Sequence, residues 1–270
     1  NGFRTLRDIN AANTRYIQVT NNVVKQIKAK DVRRFVREWS EERCLNENVR
    51  NLIVNSMKFS ETSLENLKEV ELDFSNFTHN TQLFFFPNNN VEVTPKEIIV
   101  HQRGDTAFNH YVWEENVLKH NFKPLPDMFK LTCLDKENNL YDIDVLDCKS
   151  SPIFGYVINT SRLHWRKEME ERFEDNPEEA KAYAEKHRFC INGEGLTEDE
   201  IREQKQNLAN KIFAIGYMLH RFKSPSRAWA PQAMDNKIGE NGECNGRSGK
   251  SFLFKTLSLF MKSVKLSGRN

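Results

Sequence analysis

The sequence predicts an α+β fold with a β-rich block in its middle. Three observations carry this prediction. Apolar residues recur at helical spacing in 32–39 and again in 201–222, and two extended apolar runs flank the turn-forming PNNN within 82–102. With 270 residues, the chain has room for about two domains. We expect a mixed α/β region at 1–70, a β-rich block at 71–150, a helical segment at 151–225 and the start of a further α/β domain at 226–270.

The first region is expected to combine two strands with three helices. Residues 15–19 and 23–27 have the apolar and β-branched character of strands. Asp31 is a candidate N-cap, because it directly precedes a run with apolar residues every three or four positions. The segments 48–57 and 63–70 indicate two further short helices.

The β-rich block begins with a predicted hairpin. In the run QLFFFPNNNVEVTPKEIIVHQ (82–102), Pro and Asn form turns between two apolar stretches. Alternate Phe side chains in 84–86 are expected to fill two packed faces. Three more runs, 110–118, 128–134 and 140–146, are predicted strands.

Helices are expected to dominate after residue 150. One long helix is predicted over 153–173 and a second over 177–187, which has Pro at its first turn. The sequence TEDE at 197–200 is a capping box, and it opens a helix that the apolar spacing extends to Phe222. Residues 227–234 are predicted to form a strand.

Composition excludes several classes of protein. The chain has no run of about 18 apolar residues, which rules out a membrane-spanning helix. Its five cysteines are odd in number and scattered, so neither a disulfide scaffold nor a zinc site with paired ligands is expected. We therefore predict a reducing, cytoplasmic compartment. The net charge of +2 neither requires nor excludes a polyanionic partner.

The strongest chemical signal is the sequence GECNGRSGKS at 242–251, which an apolar, helix-forming run follows. Glycines allow several backbone N–H groups to converge on one anion, and a helix N-terminus adds its positive dipole. Lys250 is predicted to reach the β and γ phosphates of a nucleotide, and the Ser251 hydroxyl is predicted to bind Mg²⁺. The predicted nucleotide-binding residues are Gly246, Arg247, Ser248, Gly249, Lys250 and Ser251.

This loop departs from the usual phosphate-binding pattern in two ways. The pattern GxxxxGK[ST] requires Gly at position 244, where this chain has Cys244. The predicted strand at 227–234 also ends about ten residues before the loop, whereas such loops directly follow a strand. An accidental glycine-rich turn is the alternative interpretation.

The segment AMDNKIGENGECNGRSGKSFLFKTL (233–257) resembles the Walker A region of superfamily-3 helicases, above all the primase-helicases of phages and integrated elements. Loops of the form GExNGRSGKS recur there, so Cys244 is a tolerated variation. Residues 72–98 and the run VWEENVL (112–118) resemble the region that precedes the motor. The similarity extends over about residues 64–270 and is specific only at 242–251.

This resemblance implies an ATP-dependent DNA helicase of the AAA+-like type, with Lys250 as its catalytic lysine and ATP and Mg²⁺ as cofactors. It implies a homo-oligomeric ring that acts on single-stranded or forked DNA in the cytoplasm of a bacterial host. It places the Walker B acids, sensor and arginine finger after the loop and a primase domain before residue 1. We therefore expect a fragment of a longer protein that binds ATP weakly and hydrolyses none by itself.

Two other classes of function remain open. One is a P-loop ATPase that is not a helicase, such as a signalling or packaging switch. The other is a nucleic-acid-binding or assembly module whose nucleotide loop is vestigial.

Weaker signals occur elsewhere in the chain. Basic residues cluster before and within the first predicted helix, where they form either a DNA contact or a solvated helix face; they are Lys25, Lys28, Arg33, Arg34 and Arg37.

Asp142 and Asp144 lie two apart on a predicted strand and therefore share a face, so they form either a metal-binding pair or an ordinary solvated edge. Trp229 is expected in a core or interface.

Overall fold

The protein is represented by a computed structural model. It describes residues 2–7, 15–233, 250–264 and 266. The chain forms two compact units, Asn1–Phe122 and Lys123–Asn270. Both contain helices and strands, which confirms the mixed α+β class. The NTPase fold expected for 226–270 stays a prediction.

In its described residues the first unit contains two small sheets, three α-helices and short 3-10 turns at Met57–Phe59 and Glu114–Asn116. Its elements are β1 (Gly2–Leu6), β2 (Arg15–Thr20), β3 (Val23–Gln26), α1 (Ala29–Glu42), α2 (Glu47–Val54), α3 (Glu61–Leu64), β4 (Glu69–Val70), β5 (Gln82–Phe85), β6 (Asn89–Val93), β7 (Ile98–Gln102) and β8 (Val112–Trp113). The strand order is β4-β1-β2-β3-β8 in one sheet and β5-β6-β7 in the other.

The five-stranded sheet is built on the two strands predicted at 15–19 and 23–27. They form an antiparallel hairpin whose turn residues, Asn21 and Asn22, have φ values of 47° and 69°. Asparagine tolerates this left-handed conformation better than most residues. The Asn22 amide also donates to the carbonyl oxygens of Phe108 and His110, at 2.8 and 3.2 Å. The turn is thereby tied to the chain that leads into β8.

Two details of the predicted helices were wrong. Helix α1 begins at Ala29, and Asp31 is its third residue, where its carboxylate accepts the backbone N–H of Lys28 at 2.9 Å. Asp31 therefore caps the helix from inside its first turn and is not the N-cap. The helix predicted over 63–70 ends at Leu64, because Glu69–Val70 pairs in parallel with β1. Long-range strand pairing overrides local helix propensity there.

The predicted hairpin at 82–102 is confirmed, and it extends to a third strand. Leu83 and Phe85 point to one face, where they pack against Phe108 and Val112. Their burial follows from the two-residue repeat of a strand.

The second unit surrounds one apolar cluster. Its elements are β9 (Phe129–Asp135), β10 (Leu140–Val145), α4 (Pro152–Asn159), a π-helical turn (Arg166–Glu171), α5 (Pro177–Lys186), α6 (Glu198–Leu219) and α7 (Lys250–Leu257). Ile143 of β10, Ile158 of α4 and Leu208 of α6 are fully buried together. The β9–β10 ribbon thus belongs with the helices, and the boundary near residue 122 divides the β-rich block predicted at 71–150.

The single helix predicted over 153–173 is wrong. Helix α4 ends at Asn159, and the buried Ser161 hydroxyl donates to the carbonyl of Val157 at 2.8 Å. The chain then turns, so that the guanidinium of Arg162 binds the buried carboxylate of Glu168 in the π-helical turn. This buried ion pair requires a bend that the apolar spacing does not reveal.

The helices α5 and α6 begin as predicted. The capping box is present: the Thr197 N–H donates to Glu200 Oε2 at 2.7 Å, and the Glu200 N–H donates to Thr197 Oγ1 at 3.3 Å. Helix α6 ends at Leu219, short of Phe222, where the Lys223 ammonium binds the last carbonyls, including that of Tyr217 at 2.9 Å. The strand predicted at 227–234 is wrong, since 227–233 has no regular secondary structure.

Candidate functional site

Two of the predicted phosphate-binding residues, Lys250 and Ser251, lie on α7. Lys250 is the first described residue of this helix, and the Ser251 that follows it is exposed. Gly246, Arg247, Ser248 and Gly249 lie outside the described residues, as does Cys244. Lys250 and Ser251 thus lie on a helix, as a phosphate-binding loop requires. The roles of the individual residues stay predictions.

Helix α7 is held by apolar contacts within the second unit. Leu257 is buried, and Leu253 packs against the cluster formed by α4, α6 and β10. The Phe252 ring meets the Tyr156 ring of α4 edge to face, with centroids 4.9 Å apart. The apolar run predicted after the loop is therefore helical as far as Leu257, and Phe252 remains 49% exposed.

The charges within the described part of α7 are all positive. The first N–H groups of a helix have no partner within the helix, and together they carry a partial positive charge. No acidic residue occurs in α7, and Lys255 lies in its last turn. The preceding strand that a phosphate-binding loop normally follows is missing from 220–233. The described residues around the loop therefore include the helix that the motif requires. They do not include the strand that normally precedes it.

The five basic residues predicted to contact DNA do not form one free surface. Lys25 lies on β3 and binds the Glu114 carboxylate at 3.1 Å. On α1, Arg34 binds Asp31 at 2.7 Å and the Arg33 Nε donates to the Phe59 carbonyl at 3.2 Å. The other two are also exposed: Lys28 directly precedes α1, and Arg37 lies near the middle of that helix. DNA contact by this set stays a prediction, and three of its members already have intramolecular partners.

The Asp142 and Asp144 carboxylates face a lysine. The Lys205 ammonium lies 2.8 Å from Asp142 Oδ1 and 3.9 Å from Asp144 Oδ1. The hydrogen bond from Lys205 is the main reason why the pKa of Asp142 lies below its usual value. Among the described residues, no group of three or more His, Cys, Asp and Glu side chains is arranged to hold a metal ion. A lysine from α6 thus supplies the positive charge that the metal-site interpretation assigned to Mg²⁺.

A buried polar network in the second unit was missed from the sequence. The Glu168 carboxylate is fully buried, binds the Arg162 guanidinium and accepts the Tyr183 hydroxyl at 2.9 Å. The Tyr183 oxygen in turn accepts the Glu194 N–H at 3.0 Å. These residues belong to four separate segments, so no local pattern could have brought them together. The network connects these segments through buried groups, which indicates a structural role.

A second feature missed from the sequence is an exposed group of rings, here named the aromatic platform: Phe213, Tyr217 and Trp229. Trp229 was expected in a core or interface but is 57% exposed, as is Phe213. The sequence signal was present, since Phe213 and Tyr217 are four residues apart on a predicted helix and therefore share a face.

No helix in the described ranges is long and apolar enough to cross a membrane. Comparisons of the chain with protein-family models, curated proteins and solved structures found no match.

Proposed function

We propose that this chain carries the nucleotide-binding loop of an ATP-driven DNA helicase. The observation that carries the proposal is the sequence GECNGRSGKS, whose last two residues, Lys250 and Ser251, lie on a helix without acidic residues in its described range. The resemblance of this loop to the Walker A region of phage primase-helicases supports the choice of a helicase. As a helicase of this kind, the full protein would form a homo-oligomeric ring and act in the cytoplasm of a bacterial host.

In this proposal the loop holds the phosphates of ATP. The backbone N–H groups of 246–251 surround the β phosphate, and Lys250 neutralises negative charge on the β and γ phosphates. The hydroxyl of Ser251, an exposed residue of α7, is the ligand offered to Mg²⁺. When bound, Mg²⁺ supplies charge neutralisation between the β and γ phosphates.

Calorimetric titration with ATP in excess Mg²⁺ tests the loop. Lys250→Ala is expected to weaken ATP binding about 10- to 100-fold, because a charge-assisted contact is lost. Lys255→Ala is the matched control, since it removes the same charge one turn further along α7. Ser251→Ala is expected to weaken binding in Mg²⁺ and to leave binding in EDTA unchanged. Equal effects of the two lysine variants would contradict the proposal.

Hydrolysis separates the helicase from its rivals. The resemblance places the Walker B acids after the loop, so the ATPase rate is measured on a protein that includes the downstream coding sequence. A helicase predicts hydrolysis that single-stranded DNA stimulates and Lys250→Ala abolishes. Hydrolysis that is indifferent to DNA would favour a signalling or packaging ATPase. DNA binding without any hydrolysis would favour an assembly module with a vestigial loop.

A further inference from the structure

The aromatic platform is a firmly positioned surface that remains exposed. Phe213 and Tyr217 lie one turn apart on α6, and the chain returns after the helix to place Trp229 beside both, with ring centroids 5.5 Å away in each case. The backbone N–H of Trp229 donates to the Tyr217 hydroxyl at 2.8 Å. Phe213 and Trp229 are nevertheless each 57% exposed. Large rings that are held in place and still face solvent commonly mark a binding surface.

The segment of the chain that carries the platform is basic. Residues 204–234 contain no Asp or Glu and five lysines or arginines: Lys205, Lys211, Arg221, Lys223 and Arg227. Asp142 neutralises Lys205, and Lys211 is largely buried, with its ammonium on the oxygens of Thr160. Arg221 and Arg227 are exposed on the segment that carries Trp229. The platform is therefore carried by a segment with exposed cations between Tyr217 and Trp229 along the sequence.

The three rings have different environments. The Lys223 ammonium lies 4.4 Å from the centre of the Tyr217 ring, and it also binds the carbonyls that end α6. This lysine covers part of Tyr217 and keeps the ring in place. Phe213 and Trp229 carry most of the exposed aromatic surface.

We propose that the aromatic platform binds single-stranded nucleic acid, with bases stacked on Phe213 and Trp229 and phosphates near Arg221 and Arg227. Exposed rings beside cations are the combination that holds single strands without sequence preference. A duplex would not fit this chemistry, because its bases are already stacked on one another. The inference deepens the proposed function, since a helicase must hold a single strand, and it rests on that function only for the choice of DNA over RNA.

Fluorescence anisotropy with a labelled oligothymidylate of about 20 nucleotides tests the proposal. Trp229→Ala and Phe213→Ala are each expected to weaken binding about 5- to 100-fold, whereas Trp229→Phe should retain most of the affinity. Phe77→Ala, which truncates a 42% exposed ring in the first unit, is the matched control and should bind like the unmodified chain. Arg227→Gln should lower the slope of log affinity against log salt by about 1.

An abasic strand of equal length separates stacking from other effects. The unmodified chain should bind this strand more weakly than oligothymidylate, and the difference should nearly vanish in Trp229→Ala. Equal losses on both strands, with unchanged thermal unfolding, would overturn the proposal, as would unaltered binding by both alanine variants. If oligoadenylate RNA binds as tightly as DNA, the platform is still a binding surface for single strands. Only the preference for DNA is then wrong.

Titration with ATP and Mg²⁺ on the same variants keeps the two proposals apart. If the platform variants bind ATP normally and also bind single strands normally, the platform proposal alone fails. If the unmodified chain binds single strands through the platform but Lys250→Ala has no effect on ATP binding, the proposed function alone fails.

Discussion

The side-chain ammonium of Lys205 on α6 lies 2.8 Å from a carboxylate oxygen of Asp142 on β10. This ion pair joins the long helix to the β9–β10 ribbon, and Gln206 adds a second link by accepting the Tyr141 N–H at 2.7 Å. The pair also accounts for the spacing of Asp142 and Asp144. Both carboxylates face one lysine, which pairs closely with Asp142, while the Asp144 side chain is 60% exposed.

The Lys205–Asp142 pair predicts a loss of stability in acid. The pKa of Asp142 is lowered below its usual 3.8 in the folded chain, so the pair stabilises the fold above about pH 4 and this contribution is lost as the pH falls through the lowered pKa. Asp142→Asn should cost roughly 1 kcal/mol at pH 7, since the pair is partly exposed. Urea unfolding of both proteins between pH 2 and pH 7 measures how the free energy of unfolding depends on pH. An undiminished acid dependence in Asp142→Asn would contradict the assignment.

Gly193 is predicted to be intolerant of a side chain. A Cβ at this position would lie 2.6 Å from the buried Glu168 carboxylate, which the Arg162 pair and Tyr183 hold in place. Gly193→Ala should therefore destabilise the chain by about 1–3 kcal/mol. Gly216→Ala is the control, because no atom lies within 4 Å of its Cβ and alanine favours the α6 helix. Urea midpoints that shift equally for the two variants would refute the steric argument.

Glu200 is predicted to titrate far below a normal glutamate. Hydrogen bonds from the Lys167 ammonium and the Thr197 N–H lower its pKa from 4.5 to about 2. The stabilisation is complete above about pH 4.5 and is lost as the pH falls towards 2. Carbon-detected NMR titration of the Glu200 carboxyl measures the value directly. Lys167→Met should raise the pKa of Glu200, whereas Lys181→Met on α5 should leave that pKa unchanged.

Lys211 is predicted to make stability rise in mildly alkaline solution. Burial lowers its pKa from 10.5 to about 8, so the unfolded chain binds more protons than the folded chain between these values. Folding stability therefore increases with pH across that window. Lys211→Met should remove this increase. The free energy of unfolding of the variant, relative to that of the unmodified chain, should be highest below pH 8. Paired urea titrations across the window measure the difference, and parallel curves for the two proteins would exclude the effect.

Much of the secondary structure follows from local patterns, and the exceptions have physical causes. The capping box at Thr197 and Glu200 opens α6 as predicted, because both hydrogen bonds form within one turn. The 153–173 segment fails as a single helix, because Glu168 must meet Arg162 across a bend. For the nucleotide loop, the structure describes only the helix that follows it. The chemistry proposed for this site therefore rests on the sequence motif.

The sequence by itself determined the α+β class, most of the strands, the capped helices and the loop motif, because propensity, periodicity and capping act between residues a few positions apart. Tertiary structure decided which elements share a core, the pairing of β4 with β1, the lysine that faces Asp142, and the exposure of Trp229. These relationships join residues that are distant along the chain. They depend on how packed surfaces match, which no local pattern encodes.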